Sequence, residues 1–158
     1  MQRPWNLASL PVYSLATYRA ERLNMNICTY VTPISMQPKL YAIAVYQHTL
    51  TLQIMQQTEV AVLQLLHAGQ YGLVRHLGQK SGHVFSKQLW LQQKQLLTSW
   101  KQFTVLKDAA AYVQLQKIQT ISTEGDHVLF LYKALHFQSL SADILTTALL
   151  SAKKIIRI

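Results

Sequence analysis

The stretch Asn24-Met25-Asn26-Ile27-Cys28-Thr29-Tyr30-Val31-Thr32-Pro33-Ile34-Ser35-Met36-Gln37-Pro38 decides the fold. It opens polar, passes through small and hydroxyl side chains, and ends in a loop punctuated by prolines. An extended strand with small side chains lets a flat ligand lie against its backbone. Cys28 and Thr29 are the small pair, and Pro33 and Pro38 are expected to stop the strand from pairing further. The reading places a strand over Leu23 to Val31.

Working outward, the chain of 158 residues is long enough for one domain with a sizeable core over residues 1–158. Half of the residues are hydrophobic and only 13% are charged, a balance that excludes disorder. No run approaches the roughly 20 apolar residues of a membrane helix. The start, Met1 to Leu7, lacks an apolar signal core, so the expected location is cytoplasmic. The single cysteine, Cys28, excludes an internal disulfide and a multi-cysteine metal cage. The formal charge is +9, but the lysines and arginines are scattered and the carboxylates are few. Glu21, Glu59, Asp108, Glu124, Asp126 and Asp143 are the six acids, too few for a paired-carboxylate hydrolase or an acidic metal site. The basic surface suits small ligands that carry phosphate. A nucleic-acid surface is disfavoured because basic and aromatic residues are not interleaved.

Further strands are expected over Val12 to Tyr18, Leu40 to Tyr46, Glu59 to Leu66, Asp108 to Thr123 and Val128 to Phe137. The density of Leu40 to Tyr46 suggests burial on both faces, and the slip in alternation near Lys117-Ile118 suggests a bulge. A short helix follows Gln47-His48, with Thr49 or Thr51 as its cap. Leu73, Val74 and Leu77 recur at helical spacing, and Gly78 is expected to close that helix in the left-handed conformation. Lys87 to Gln102 reads as helix or helical loop, with Trp90 and Trp100 covering a core edge. The tail from Asp143 reads as a helix capped by Asp143, and Arg3-Pro4-Trp5 as an extended arm. Gly125 gives a hairpin turn before His127, whose ring Asp126 can orient.

Four of these features resemble the flavin reductase-like family, the FMN-binding split barrels. The Asn24–Thr29 strand is similar to the family's Asn-Gly-x-Thr-Ala-Ser strand, with Asn24 on the Asn, Ile27 on the Thr, Cys28 on the Ala and Thr29 on the Ser. The threonine-led helix start stands where the family has a Ser-x-Thr pattern at the FMN phosphate. Arg75 to Gly82, followed by Lys87, is similar to the family's helix and Ser-Gly loop beside the flavin. Gly125-Asp126-His127 matches the family's Gly-Asp-His in type, order and context. The resemblance spans roughly Val12 to Phe137.

The resemblance implies an all-β fold, an antiparallel split β-barrel of about six strands with helices outside. It implies FMN bound by Asn24, Ile27, Cys28, Thr29, Tyr46, Gln47, His48, Thr49, Thr51, Ser81, Gly82 and Lys87, near a homodimer interface. It further implies NADH or NADPH as co-substrate and His127 as the catalytic residue, with no metal. The flavin carries the hydride chemistry, so no acid–base cluster is required of the protein. The dimer surface is expected on Leu40–Tyr46, Trp90 and Trp100. Either threonine is equally well explained as a plain cap, and Cys28 reads as a small wall residue rather than a nucleophile. An FMN-holding electron carrier without nicotinamide turnover is the alternative, since no Gly-x-Gly-x-x-Gly turn appears.

Overall fold

A computed structural model describes residues 3–158; Met1 and Gln2, which begin the segment read for a signal core, lie outside the described residues. The main sheet is antiparallel and has seven strands. They are β1 (Tyr13–Arg19), β2 (Arg22–Met25), β3 (Val31–Ser35), β4 (Leu40–Tyr46), β5 (Val60–Leu65), β8 (Ala111–Ile121) and β9 (His127–Ser139). Their order is β2-β1-β5-β8-β9-β4-β3. A separate hairpin pairs β6 (Leu97–Trp100) with β7 (Phe103–Leu106). The helices are α1 (Leu50–Gln57), α2 (Leu73–Leu77), α3 (Lys87–Gln93) and α4 (Thr147–Ala152). None of them is long and apolar enough to cross a membrane.

Alternation along the central strands explains why the sheet is covered on both faces. Leu15, Leu63 and Leu115 point into an inner cluster with Ile43, Phe130 and Tyr132, which Leu52 and Met55 of α1 complete. Their neighbours Ala16 and Val62 point the other way, into an outer cluster with Met25 and Tyr112. Leu73, Val74 and Leu77 of α2, Leu91 of α3, Val105 and Leu106 of β7 and Leu150 of α4 cover that side. Each such buried Leu, Ile or Phe contributes about 1.5–3 kcal/mol.

The strand ladder does not close into a barrel, because pairing stops at β2 on one side and β3 on the other. The segment Asn26 to Tyr30 crosses that gap instead. Tyr13 and Cys28 exchange backbone hydrogen bonds of 2.9 and 2.8 Å, and Ala44 N donates to Tyr30 O at 3.0 Å. The expected strand over Leu23 to Val31 is therefore two strands joined by a bridging segment. Pro33 does not end pairing either: it lies within β3, opposite Tyr41, with a register shift before Ser35. Its missing N–H is tolerated because β3 is an edge strand.

Other expectations change in the same concrete way. β4 alternates, with only Ile43 and Val45 buried, because β3 and β9 flank it and one face meets the inner cluster. Gly78 ends α2 at φ −102°, not in the left-handed region. It is small for a packing reason, since a Cβ there would sit 2.9 Å from Val74 O and 3.1 Å from Ile27. The helix expected up to Gln102 ends at Gln93, and the hairpin β6–β7 takes over. Trp100 is buried against Tyr112 at 5.4 Å and so offers no dimer surface, whereas Trp90 is half-buried and stacks on His76 at 4.1 Å. Thr146 caps α4 in place of Asp143, which pairs with His67 at 3.5 Å. Pro4 to Asn6 form a 3₁₀ turn, not an extended arm. The bulge near Lys117 is present as a register shift between Lys117 and Gln119.

Candidate functional site

A cleft of about 500 Å³ lies where the bridging segment, the start of α1, the loop after α2 and the tip of the β8–β9 hairpin meet. That volume is within the ordinary range for small-molecule sites. Asn24, Ile27, Cys28, Thr29, Tyr46, His48, Thr49, Thr51, Ser81, Gly82, Lys87 and His127 all line it. Gln47 does not. Its Nε2 donates to Gly125 O at 3.0 Å and its N to Asp126 O at 3.0 Å, so it ties the end of β4 to the hairpin tip. Tyr30, Asn26, Leu77, Gln79 and Lys80 also line the cleft and were not singled out by the sequence reading. Tyr30 had a usable signal, since it directly follows Thr29 on the bridging segment.

The deep side is built from buried polar groups that hold one another. Asn24 Nδ2 donates to Thr51 Oγ1 at 2.9 Å, and both side chains are buried. Thr51 keeps its own O–H proton free of any protein acceptor among the described residues. Thr49 does not: it caps α1 by accepting from Leu52 N at 3.1 Å and donates to Tyr46 O at 2.9 Å. Leu52 N is thus satisfied, while the preceding amides at the start of α1 have no partner among the described residues, as at any helix N-terminus. Gly82 is packed so closely that a Cβ would meet Asn24 Oδ1 at 2.8 Å and Leu50 at 3.1 Å.

Lys87 is the buried cation of the site, 6% exposed. Ser86 caps α3 and turns Lys87 inward, where Nζ donates to Leu77 O at 2.6 Å. Burial brings its ammonium down to about 8, and among the described residues it has no carboxylate partner. A buried, unneutralised ammonium beside a cleft is an anion-binding element. Cys28 differs in kind: burial pushes its thiol up to about 12, so it is unreactive. Its N–H is spent on Tyr13 O at 2.8 Å and is not available to a ligand.

The mouth is aromatic and more open. His127 lies opposite Tyr46 in the β4–β9 register, with ring centres 5.6 Å apart, and Tyr30 approaches from the other side at 5.2 Å. His127 Nδ1 is 2.6 Å from Asp126 Oδ1. The hydrogen bond from His127 holds the Asp126 carboxyl below its usual range, so Asp126 is ionised and accepts. Nδ1 therefore carries the proton, and Nε2 is the nitrogen turned to other partners. The turn before it rests on Thr123, whose Oγ1 accepts from Gly125 N at 3.1 Å and donates to His127 O at 2.7 Å.

A family model described as the flavin reductase like domain matches residues 6–154. No curated protein sequence matches the chain. Among solved structures, the FMN-binding protein from Thermus thermophilus with bound p-hydroxybenzaldehyde superposes with a TM-score of 0.76 at 19% identity, over 90% of this chain and 78% of that one. The flavin reductase PheA2 superposes with a TM-score of 0.72 at 19% identity, over 88% and 85%. A flavoredoxin from Methanosarcina acetivorans gives a TM-score of 0.74 at 12% identity, over 89% and 75%. These likenesses are of fold, and the family match covers most of the sequence: the chain belongs to the flavin reductase-like domain family.

Proposed function

We propose that the protein is an FMN-binding, NAD(P)H-dependent flavin reductase, acting as one domain whose sheet takes the split-barrel form. The observation that carries this reading is Lys87, a buried ammonium lining the cleft beside the N-terminus of an eight-residue helix. Both elements seek an anion, and FMN differs from its unphosphorylated form only by one. The donor set fits that group. The first amides of α1, the free O–H of Thr51 and Lys87 would hold the phosphate. The open amide of Thr29, beside the small Cys28, would take the polar edge of a flat ring. Between Thr49 and Thr51, the hydroxyl not already committed to the cap is that of Thr51.

Bound FMN supplies the hydride-accepting ring. The protein's part is to bind, orient and stabilise. Gly82 and Asn24 fix the depth of the cleft, and the Ile27–Thr29 wall fixes the plane of the ligand. His127, with Nδ1–H held by Asp126, presents Nε2 at the mouth, where the ring in its doubly protonated form would donate to negative charge that develops on the ligands. We further propose a homodimer that covers the mouth. Its support is the exposed apolar rim of Tyr30, Ile34, Met36 and Tyr46.

Anaerobic mixing of the FMN-loaded protein with NADH or NADPH tests the reading. Bleaching of the flavin absorbance by either nucleotide is expected. A protein that holds FMN and is reduced by dithionite but by neither nucleotide would instead be an electron carrier.

A further inference from the structure

The inner side of the sheet holds a second cavity of about 430 Å³, lined from β1, β4, β5, β8 and β9. It shares a wall with the cleft. Cys28 lines the cleft, Tyr13 lines this cavity, and the two exchange backbone hydrogen bonds. Leu63, Val113 and Phe137 give it an apolar lining, and Phe137 is 78% exposed at the lip. An aromatic side chain so exposed beside a cavity is one that a ligand can cover.

Six polar side chains interrupt this lining: Tyr13, Tyr41, Tyr112, Lys39, Gln138 and Ser139. Tyr112 donates its hydroxyl to Leu106 O. Among the described residues neither the Tyr13 nor the Tyr41 phenol has a protein hydrogen-bond partner, and Lys39 Nζ meets only the Met36 sulfur, at 3.7 Å. Burial raises both phenols above their ordinary value, so at neutral pH both are donors. No Asp or Glu lines the cavity. Lys39 is the one charged residue of the lining, and with the unpartnered phenols of Tyr13 and Tyr41 above the apolar residues it describes a receptor for a small amphiphile with a negative head.

We propose that this cavity binds a medium-chain monocarboxylate, its carboxylate held by Lys39, Tyr13 and Tyr41 and its hydrocarbon laid on Leu63, Val113 and Phe137. The site is distinct from the cleft, and it stands or falls independently of the flavin reading.

Calorimetric titration of the full chain, with and without FMN, against octanoate, octanol and octylammonium tests it. Octanoate is expected to bind one site in both forms, about tenfold more tightly than octanol, with no binding of octylammonium. Lys39→Met and Tyr41→Phe should each weaken octanoate by about three- to tenfold, while Lys101→Met, which does not line the cavity, should leave it unchanged. Tyr41→Phe removes one oxygen and keeps the ring, so it tests the contact without threatening the fold. Octanol binding as tightly as octanoate, unchanged affinity in both variants, or displacement of octanoate by FMN would overturn the proposal. So would absence of octanoate binding together with a dimer that Phe137→Asp dissociates, which would assign the cavity to a second copy of the chain.

Discussion

Asn24, Thr51, Gly82 and Lys87 on the deep side of the cleft are buried, whereas Tyr30, Tyr46 and His48 at its mouth are exposed. The deep side is held by buried hydrogen bonds and close contacts, so it has little freedom to rearrange. The mouth is held by ring contacts and the exposed hydrogen bond between His127 and Asp126, each of modest strength. The difference assigns the tasks. In the proposed function, affinity for a phosphate-bearing ligand would belong to the deep side, and contact with a second, exchanging ligand to the mouth. Substitutions should separate the two.

The largest effect is expected at Gly82. Gly82→Val forces side-chain atoms into Asn24 and Leu50, which lie 2.8 and 3.1 Å from the position of the first carbon. Overpacking of this kind costs about 1–3 kcal/mol of stability. Thermal melting should show that loss, and FMN should no longer be retained on gel filtration. A melting point and flavin content like those of the wild type would mean that the deep side can yield.

Next is Lys87. Lys87→Met should weaken FMN by about tenfold or more while the protein remains folded, since a hydrogen bond from a charged donor contributes about 1.5–3 kcal/mol. The wild-type affinity should fall as pH rises through about 8, where the ammonium loses its proton, and the variant should lack that step. Stability of the ligand-free protein runs the other way. The folded value of about 8 is below the ordinary 10.5, so the unfolded chain binds more protons between them. The wild type therefore gains stability as pH climbs through that window, and Lys87→Met does not. Parallel pH curves for the two proteins would remove Lys87 from the account.

The smallest effect is at the mouth. His127→Ala should slow NAD(P)H-driven flavin reduction at least several-fold, at or below the low end of the roughly 2–4 kcal/mol typical of a lost transition-state donor, because the site is open to water. FMN affinity should hardly change. His136→Ala, on the exposed far part of the same strand, is the control. Equal anaerobic stopped-flow rates for wild type and His127→Ala would return His127 to the role of a turn residue.

Legibility in the sequence follows the same division by local signal. Alternating apolar strands and the capped start of α1 were readable, because period and cap chemistry are local. The hairpin β6–β7 was not. Its turn uses Lys101 at φ 51°, where glycine or asparagine would have announced it, and the preceding glutamine-rich run favours helix. The motif residues of the cleft were named because they sit in short recognisable patterns. Tyr30 and Lys80 lie inside those stretches but at positions that the motifs do not specify, so nothing local marks them. Burial of Lys87 could not be read either, since lysine is ordinarily exposed and its inward turn depends on the Ser86 cap and the Leu77 carbonyl. The commitment of Thr49 to its cap and of the Cys28 amide to Tyr13 also emerges only when the hydrogen bonds of the folded chain are known.

Paired titrations of the apo-protein with FMN and with riboflavin, for the wild type and Thr51→Val, test the central claim most directly. The account predicts that the wild type binds FMN at least about tenfold more tightly than riboflavin, a difference of about 1.4 kcal/mol. It also predicts that Thr51→Val lowers affinity for FMN and leaves that for riboflavin nearly unchanged. Equal affinities for FMN and riboflavin in the wild type would contradict a phosphate seat on the deep side of the cleft.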